Sequence, residues 1–262
     1  MNPWDHPATP VYYEAFYDAH PRYLKANRAL IAHAALEPGH RVLDVGAGTG
    51  RTAEEALACL GPEGRVDALE PSHAMRRAGR RRLSDPRLRW LSRMPGASAR
   101  FDRILCGASI WQLEPFAEQV IALAARLLPG GALVFNIPAL YLLEPDQPGG
   151  GRDPLLLELP ARLFEDAPPR LSGGTQPVAA LSAKAIEMHL RAAGLRPRSW
   201  SFRRKFTQDA YAAWLRIPVL TENLLPGLTP IERARRIDDA LAKVDRASWK
   251  WERWRGWTAW KR

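Results

Sequence analysis

The chain has 262 residues, of which 46% are hydrophobic and 25% charged, and its formal net charge is +10. This length and apolar content indicate an ordinary globular protein with a buried core, in one large domain or two small ones. The opening MNPWDHPATP lacks a basic stretch followed by an apolar one, and Arg126, prolines and glycines interrupt the most apolar stretch, 121–143. We therefore predict a cytoplasmic protein without a membrane span.

The two cysteines, Cys59 and Cys106, form no CxxC pair and no Cys/His cluster. Neither a disulfide framework nor a zinc site is indicated. Both lie within apolar stretches, so we predict two buried thiols.

The positive charge is concentrated in MRRAGRRRLSDPRLRWLSR, residues 75–93. A basic stretch of this density is one mark of a nucleic-acid-binding protein. Its arginines also fall on the side of an amphipathic helix that should face solvent. We favour the solvated face over a nucleic-acid site.

Strand-length and helix-length stretches alternate through the first half of the chain. The predicted strands are RVLDV (41–45), RVDALE (65–70), LRWL (88–91), FDRILC (101–106) and ALVFNI (132–137). The predicted helices between them are RTAEEALACL, SHAMRRAGRRRL and PFAEQVIALAARLL. This alternation is typical of α/β proteins and predicts a parallel sheet with helices on both faces.

The alternation stops after Pro138. Residues 139–178 are rich in proline and glycine yet include the apolar patch LLLELPARLF, which favours a lid. A helix at 182–193, a strand at 199–206 and a helix at 208–215 should follow, then a helix opened by the capping box Thr229-Pro230-Ile231-Glu232. We see no linker and predict one domain, 1–262. Its parts are an N-terminal helical cap (1–40), a core (41–138), lid insertions (139–178 and 208–245) and a terminal strand (246–262).

The most informative stretch is RVLDVGAGTGRT, residues 41–52. A strand that ends in Asp44 is followed by glycines at every second position and then by a helix. Glycines allow positive φ and let a backbone approach a ligand closely. Dinucleotide-binding turns read GxGxxG, whereas this turn reads GxGxG with an acid before it. A carboxylate there would repel a pyrophosphate and suits a ligand with an ammonium group.

VLDVGAGTG resembles the first motif of the class I S-adenosylmethionine-dependent methyltransferases, and the resemblance extends over most of the chain. FDRILCGASIWQL is similar to the fourth motif, which borders the methyl-transfer site, and LLPGGALVFNIP to the helix, turn and strand after it. LSAKAIEMHLRAAGLRPRSW resembles the family's penultimate helix and strand, and WTAWKR resembles its last antiparallel strand. The resemblance implies an α/β, Rossmann-like, seven-stranded, mostly parallel sheet with helices on both faces and a helical lid.

The resemblance also implies the position of the cofactor, S-adenosyl-L-methionine. In the family a second acid ends the next strand and holds both ribose hydroxyls, and Glu70 occupies that place. The following EPSHAM resembles a helix start whose methionine-like position, here Met75, packs near the adenine. The implied cofactor-binding residues are Asp44, Gly46, Ala47, Gly48, Gly50, Glu70, Pro71, Met75, Arg93, Met94 and Gly107.

Two positions depart from the family pattern. Many relatives have an acid after the third strand that binds the adenine amino group, but this chain has Ser92, Arg93 and Met94 there. Backbone and apolar contacts should then hold the adenine. After the fourth strand, where many small-molecule relatives read histidine-tryptophan, this chain reads Ile110-Trp111, so no catalytic histidine is carried over to that point.

The candidate catalytic residues are Tyr17, His20 and Trp111. In relatives the N-terminal segment often folds over the cofactor, so Tyr13 or Tyr17 could touch the cofactor or acceptor and His20 could act as a base. The alternative is a helix that only packs against the domain edge. Trp111 lines either the site or the core. The turn CGASIWQL offers no acid cluster, so we predict no metal ion.

The expected reaction is metal-independent, in-line methyl transfer to a small organic acceptor, in a biosynthetic pathway of the secondary-metabolite kind. One alternative is a methyltransferase acting on RNA or another nucleic acid, which the lack of an NPPY-like motif disfavours. Another is a non-methylating cyclase or rearrangement catalyst that binds S-adenosylmethionine. The expected partner is a small-molecule acceptor, with no specific nucleic acid and no membrane.

Tryptophans at five positions near the end of the chain resemble a base-stacking platform. Packing of an alternating terminal strand against the sheet and lid explains them better. They are Trp249, Trp251, Trp254, Trp257 and Trp260.

Overall fold

A computed structural model describes residues 3–139, 142, 181–221, 225, 227–244 and 249–262. The first predicted lid segment, 139–178, therefore lies outside the described residues except for positions 139 and 142. The second, 208–245, is described except at 222–224, 226 and 245.

Seven strands form one sheet. In chain order they are β1 (Arg41–Val45), β2 (Arg65–Leu69), β3 (Leu88–Leu91), β4 (Phe101–Gly107), β5 (Leu127–Pro138), β6 (Leu195–Thr207) and β7 (Trp249–Lys261). Their order across the sheet is β3-β2-β1-β4-β5-β7-β6. The first five strands pair in parallel, and β7 runs antiparallel to β5. The predicted seven-stranded, mostly parallel sheet is confirmed.

Helices connect the strands and follow them. They are α1 (Thr9–Ala19), α2 (Lys25–Ala34), α3 (Arg51–Leu57), α4 (His73–Arg82), α5 (Phe116–Ala125), α6 (Ala183–Ala192), α7 (Gln208–Leu215), α8 (Pro218–Thr221) and α9 (Pro230–Ala242). Short 3-10 turns occur at Pro3–Asp5, Pro21–Leu24 and Ile110–Gln112.

The strands fall where their sequences predict, and β5 is longer than expected. Leu127 already pairs with Phe101 of β4, so α5 ends before the predicted 128. β5 then passes through Gly130, whose positive φ of 74° allows the irregular register, before it resumes at Ala132. The apolar stretch LL after the helix therefore belongs to the sheet.

Both faces of the sheet are covered. Because successive residues of a strand point to opposite faces, Val42 and Leu43 enter different clusters of buried side chains. The cluster around Val42 includes residues of α2 and α3, and the cluster around Leu43 includes residues of α5 and α6. This arrangement confirms helices on both faces.

The described residues fall into two compact units. The sheet unit contains residues 23–139, 142, 181–202 and 253–262. The helical unit contains residues 3–22, 203–221, 225, 227–244 and 249–252.

The helical unit has its own small core. Buried side chains of α7 and α9 form a cluster that includes Leu215, Ile237 and Leu241. At the start of α9 the Thr229 and Glu232 side chains each bind the other's backbone N–H, so the predicted capping box is confirmed.

The prediction of two buried thiols is wrong for one of them. Cys59 is exposed at the end of α3, whereas Cys106 is buried in β4 as predicted. Ile231 is 65% exposed, because only the later apolar residues of α9 face the cluster of the helical unit.

Candidate functional site

The glycine turn after β1 has the backbone that its sequence predicts. Gly46, Gly48 and Gly50 have φ values of 73°, 58° and 86°, in the left-handed region that favours glycine. A Cβ on Gly46 would lie 2.5 Å from the Cβ of Ser109, and one on Gly50 would lie 3.0 Å from the Trp90 ring. The spacing therefore also serves close packing of the turn against its own protein.

Asp44 is the last residue but one of β1, just before this turn, and is 1% exposed. Neither of its carboxylate oxygens has a hydrogen-bond partner among the described residues. Burial, with a smaller contribution from Glu70, raises the pKa of Asp44 to about 7, and the backbone amide of Ala53 acts in the opposite direction. A buried carboxylate in this condition fits a ligand that brings a cation or several donors.

Glu70 follows β2 and is also buried, at 8% exposure. One carboxylate oxygen accepts the Gly48 N–H at 2.8 Å, and the other accepts the Ser72 N–H at 2.7 Å. These bonds fix the carboxylate between the two turns. A carboxylate oxygen can accept more than one hydrogen bond, so a carboxylate in this position can also receive a ribose hydroxyl.

Two arginines of α4 bind carbonyls of the same turns. Arg76 Nη1 donates to the Glu70 carbonyl at 2.6 Å, and to the Pro71 carbonyl at 3.1 Å. Arg82 Nε donates to the Thr49 carbonyl at 3.1 Å, and its Nη1 pairs with Glu54 at 2.6 Å. The solvated-face prediction is wrong for these two side chains, which act as anchors of the turns.

The other arginines of the same helix behave as predicted. Arg77, Arg80 and Arg81 are exposed. The helix therefore combines a solvated face with two side chains that reach back to the turns.

The turn after β4 is fastened to the glycine turn. Ser109 Oγ donates to the Val45 carbonyl at 2.6 Å. Ala108 has a positive φ of 51°, and its N–H donates to Asn136 Oδ1 at 2.9 Å. Asn136, which is fully buried, also donates from Nδ2 to the Ala26 carbonyl at 2.9 Å. Sequence analysis missed Asn136 and Ser109 because their partners are far away along the chain.

The remaining cofactor candidates surround these turns in the sheet unit. Met75 is buried at 1% exposure, whereas Pro71 is exposed. Ser92, Arg93 and Met94 line a cavity of about 480 Å³ next to the carboxyl end of β3.

Two small residues complete the set. Ala47 is buried in the glycine turn. A Cβ on Gly107 would lie 2.7 Å from Thr52 Oγ1, so this position also requires glycine for packing. Contact of all these residues with a cofactor stays a prediction.

The catalytic candidates occur in both units. Trp111 lies in the 3-10 turn Ile110–Gln112 and is partly buried against the cluster around Leu43. Tyr17 and His20 belong to the helical unit, where Tyr13 Oη donates to Tyr17 Oη at 3.2 Å. Partial burial lowers the pKa of His20, and Asp209 acts in the opposite direction. Their predicted roles at the acceptor are therefore left as predictions.

Within the described ranges, no group of three His, Cys, Asp or Glu residues is placed to hold a metal ion. In the same part of the chain, no helix is long and apolar enough to cross a membrane.

Residues 42–131 match a family described as a methyltransferase domain. The chain is 32% identical over 110 residues to the ubiquinone/menaquinone biosynthesis C-methyltransferase UbiE of Bordetella parapertussis, a match that covers 40% of this chain and 43% of the relative. It is 44% identical over 55 residues to UbiE of Cupriavidus pinatubonensis, covering 21% of this chain and 23% of the relative. The chain thus spans less than half the length of these curated relatives.

Solved structures extend the likeness of fold to most of the chain. The YcgJ protein of Bacillus subtilis has a TM-score of 0.58 and 17% identity, over 91% of this chain and 98% of that one. The [4+2]-cyclase SpnF has a TM-score of 0.56 and 16% identity, over 90% of this chain and 80% of that one. At these identities the likeness shows the fold alone.

The matched residues 42–131 include the glycine turn, Asp44 and Glu70. The unpartnered Asp44 carboxylate fits the ammonium group of S-adenosylmethionine, and the fixed Glu70 carboxylate fits its ribose hydroxyls. Over residues 42–131 the chain is therefore similar to a methyltransferase domain, and this matched part contains the residues that fit S-adenosylmethionine.

Proposed function

We propose that the protein transfers a methyl group from S-adenosylmethionine to a small organic acceptor. The observation that carries the proposal is the pair of buried carboxylates, Asp44 and Glu70, beside a glycine turn in the part that matches the methyltransferase domain. Two separate carboxylates suit a ligand that carries an ammonium group and, at another point, a ribose.

The residues have distinct tasks in this proposal. Asp44 receives the ammonium group and Glu70 the ribose hydroxyls, while Met75 and the cavity beside Arg93 and Met94 take the adenine. When bound, the cofactor supplies a methyl group that its sulfonium makes electrophilic. What is left for the protein is to align the acceptor, exclude water and accept a proton where the acceptor carries one.

The acceptor side rests on Trp111, Tyr17 and His20. His20 is suited to accept a proton because its lowered pKa keeps the imidazole neutral near pH 7. The transfer itself needs no metal ion in this proposal, since alignment with an electrophilic methyl group is sufficient.

The finer proposal concerns the class of acceptor. The curated relatives are named as C-methyltransferases of ubiquinone and menaquinone biosynthesis, which supports a small biosynthetic acceptor and a carbon nucleophile. The match to the methyltransferase domain covers residues 42–131, so it includes neither Tyr17 nor the helical unit. In this proposal acceptor choice therefore rests on parts outside the matched residues.

Methyl-labelled S-adenosylmethionine tests the proposal. The purified full chain is incubated with it and either a small-molecule extract or total RNA, and the products are analysed by mass spectrometry. We expect S-adenosylhomocysteine together with label in the small-molecule fraction. Label in RNA would contradict the proposal, and so would conversion of an acceptor without S-adenosylhomocysteine, which would indicate the non-methylating alternative.

Glu70→Ala serves as the inactive reference in this assay. The exposed Glu63→Ala is its matched control, because the same side chain is removed far from the glycine turn. Full turnover in Glu70→Ala would show that the assay follows a contaminating enzyme.

A further inference from the structure

The helical-unit ends of β6 and β7 present an unusual face. Trp249 and Trp251 of β7 are 37% and 45% exposed, with ring centroids 5.2 Å apart in an edge-to-face pair. The exposed Lys205 has its ammonium 4.5 Å from the Trp249 centroid, and the exposed Arg203 has its guanidinium 4.5 Å from the Trp251 centroid. Two tryptophans and two cations therefore form one surface, called here the Trp–cation face.

Strand alternation explains why these four residues meet. β6 and β7 are neighbours in the sheet, and 203 lies near 251 as 205 lies near 249, the order of an antiparallel pair. Arg204, between Arg203 and Lys205, points the other way: it is buried and forms an ion pair with Glu252. The buried Arg204–Glu252 pair on the opposite side of the two strands thus holds the Trp–cation face in place.

The charge of this face is positive. Arg203 and Lys205 lie on it, and Arg253, the next residue but one after Trp251, is exposed as well. The acid in segment 249–252, Glu252, pairs with the buried Arg204 on the reverse side. A partner with complementary chemistry carries negative charge and packs against the edges of the two indole rings.

The geometry of the two rings favours one of two classes of anionic partner, nucleic acid and lipid. Single-stranded nucleic acid stacks its bases on open aromatic faces. Here a cation covers a face of each ring, and the two rings also meet edge to face. An interface of anionic lipid headgroups needs no open ring face, because tryptophan sits among headgroups as an amphipathic plate and nearby Lys and Arg pair with phosphates.

We propose that the Trp–cation face docks on the surface of an anionic lipid bilayer. The sequence led us to expect no membrane partner and to explain the tryptophans near the end of the chain by packing against the sheet and lid. Trp254 and Trp257 are buried as that packing predicts, whereas Trp249 and Trp251 are exposed. The spacing of tryptophans does not show which of them a neighbouring element covers.

The test measures binding of the full chain to vesicles by co-sedimentation. Phosphatidylcholine vesicles are compared with vesicles that also contain phosphatidylglycerol, at low and high salt. The charge variant is Arg203→Glu with Lys205→Glu, and the aromatic variant is Trp249→Ala with Trp251→Ala. The control is Arg77→Glu with Arg81→Glu, which makes the same charge change on the exposed face of α4.

We expect binding to the anionic vesicles that weakens with salt. The charge variant should lower the partition coefficient at least about tenfold, since each cation near an anionic surface contributes roughly fivefold. The aromatic variant should also bind more weakly, and the α4 control should stay within about twofold of the native chain. Melting temperatures confirm that each variant is folded; if the charge variant is not, Arg203→Gln with Lys205→Gln replaces it.

Three results would overturn the proposal. The first is that the charge variant and the aromatic variant both bind anionic vesicles as strongly as the native chain does. The second is an equal loss in the α4 control, which would show attraction by total charge alone. The third is that the native chain binds single-stranded RNA tightly but does not bind vesicles, and that the aromatic variant loses the RNA binding. None of these measurements depends on methyl transfer.

Discussion

Ser109 Oγ donates a 2.6 Å hydrogen bond to the carbonyl of Val45, and this bond joins the turn after β4 to the glycine turn after β1. The two turns approach so closely that a Cβ on Gly46 would lie 2.5 Å from the Ser109 Cβ. A ligand held by the glycine turn is therefore held against the turn that borders the proposed methyl-transfer site.

Removing the Ser109 hydroxyl should loosen this junction. Ser109→Ala leaves the Val45 carbonyl without its side-chain donor, so we expect a loss of about 1 kcal/mol in the free energy of unfolding and weaker cofactor binding. Chemical denaturation and calorimetric titration with S-adenosylhomocysteine measure the two effects. The exposed Ser199→Ala should change neither; an equal effect in both variants would contradict the role of the bond.

The raised pKa of Asp44 predicts a pH dependence. In the folded protein without ligand the protonated carboxyl is favoured, so its contribution to stability is full below pH 3.8 and is lost as the pH rises to about 7. Asp44→Asn should therefore stabilise the ligand-free protein above pH 7 relative to the native chain. Denaturation curves across this pH range test the sign.

Ligand binding should show the opposite trend for the same residue. An ammonium group favours ionised Asp44, so cofactor affinity of the native chain should rise with pH up to about 7 and then level off. Asp44→Asn should bind more weakly and lose that rise. A native affinity that does not change with pH below 7 would show that the ligand makes no contact with this carboxylate.

Arg82 should matter for the cofactor although it lies on a basic helix. Arg82→Gln removes the donor to the Thr49 carbonyl and the pair with Glu54, so we expect cofactor affinity to fall about three- to tenfold. Arg81→Gln, on the exposed side of the same helix, makes the same charge change and should leave affinity unaltered. Equal losses would mean that the helix acts only through its total charge.

The close packing of Gly79 against the Trp90 ring predicts an effect on stability. A Cβ on Gly79 would lie 2.3 Å from the Trp90 ring, so Gly79→Ala should destabilise the protein by about 1–3 kcal/mol even though alanine favours helices. Gly96→Ala, where no atom lies within 4 Å of the added Cβ, is the control. Thermal unfolding of the two variants shows whether the added methyl group is tolerated at each position; a Gly79→Ala variant more stable than the native chain would show that the ring moves aside freely.

The sequence predicts those parts of the fold whose signals are local. The strand before the glycine turn, the positive φ of its glycines and the capping box at Thr229 each follow from a few adjacent residues. Asp44 and Glu70 were found for the same reason, since each lies within one residue of the end of a strand with a clear apolar pattern.

The parts that were missed depend on contacts between distant residues. Asn136 reaches the Ala26 carbonyl across 110 positions, and Arg82 reaches Thr49 across 33. Periodicity places an arginine on a helix face but does not show where its long side chain ends. The exposure of Cys59 at the end of α3 likewise follows from tertiary packing rather than from its apolar neighbours.

Calorimetric titration of S-adenosylhomocysteine into the native chain and into Glu70→Ala tests the central claim most directly. We predict saturable binding to the native chain, no binding of NAD, and at least about a tenfold loss of affinity in Glu70→Ala, because charge-assisted hydrogen bonds to the ribose are removed. The exposed Glu63→Ala should bind like the native chain. Unchanged affinity in Glu70→Ala, or binding of NAD in place of S-adenosylhomocysteine, would contradict the assignment of this site.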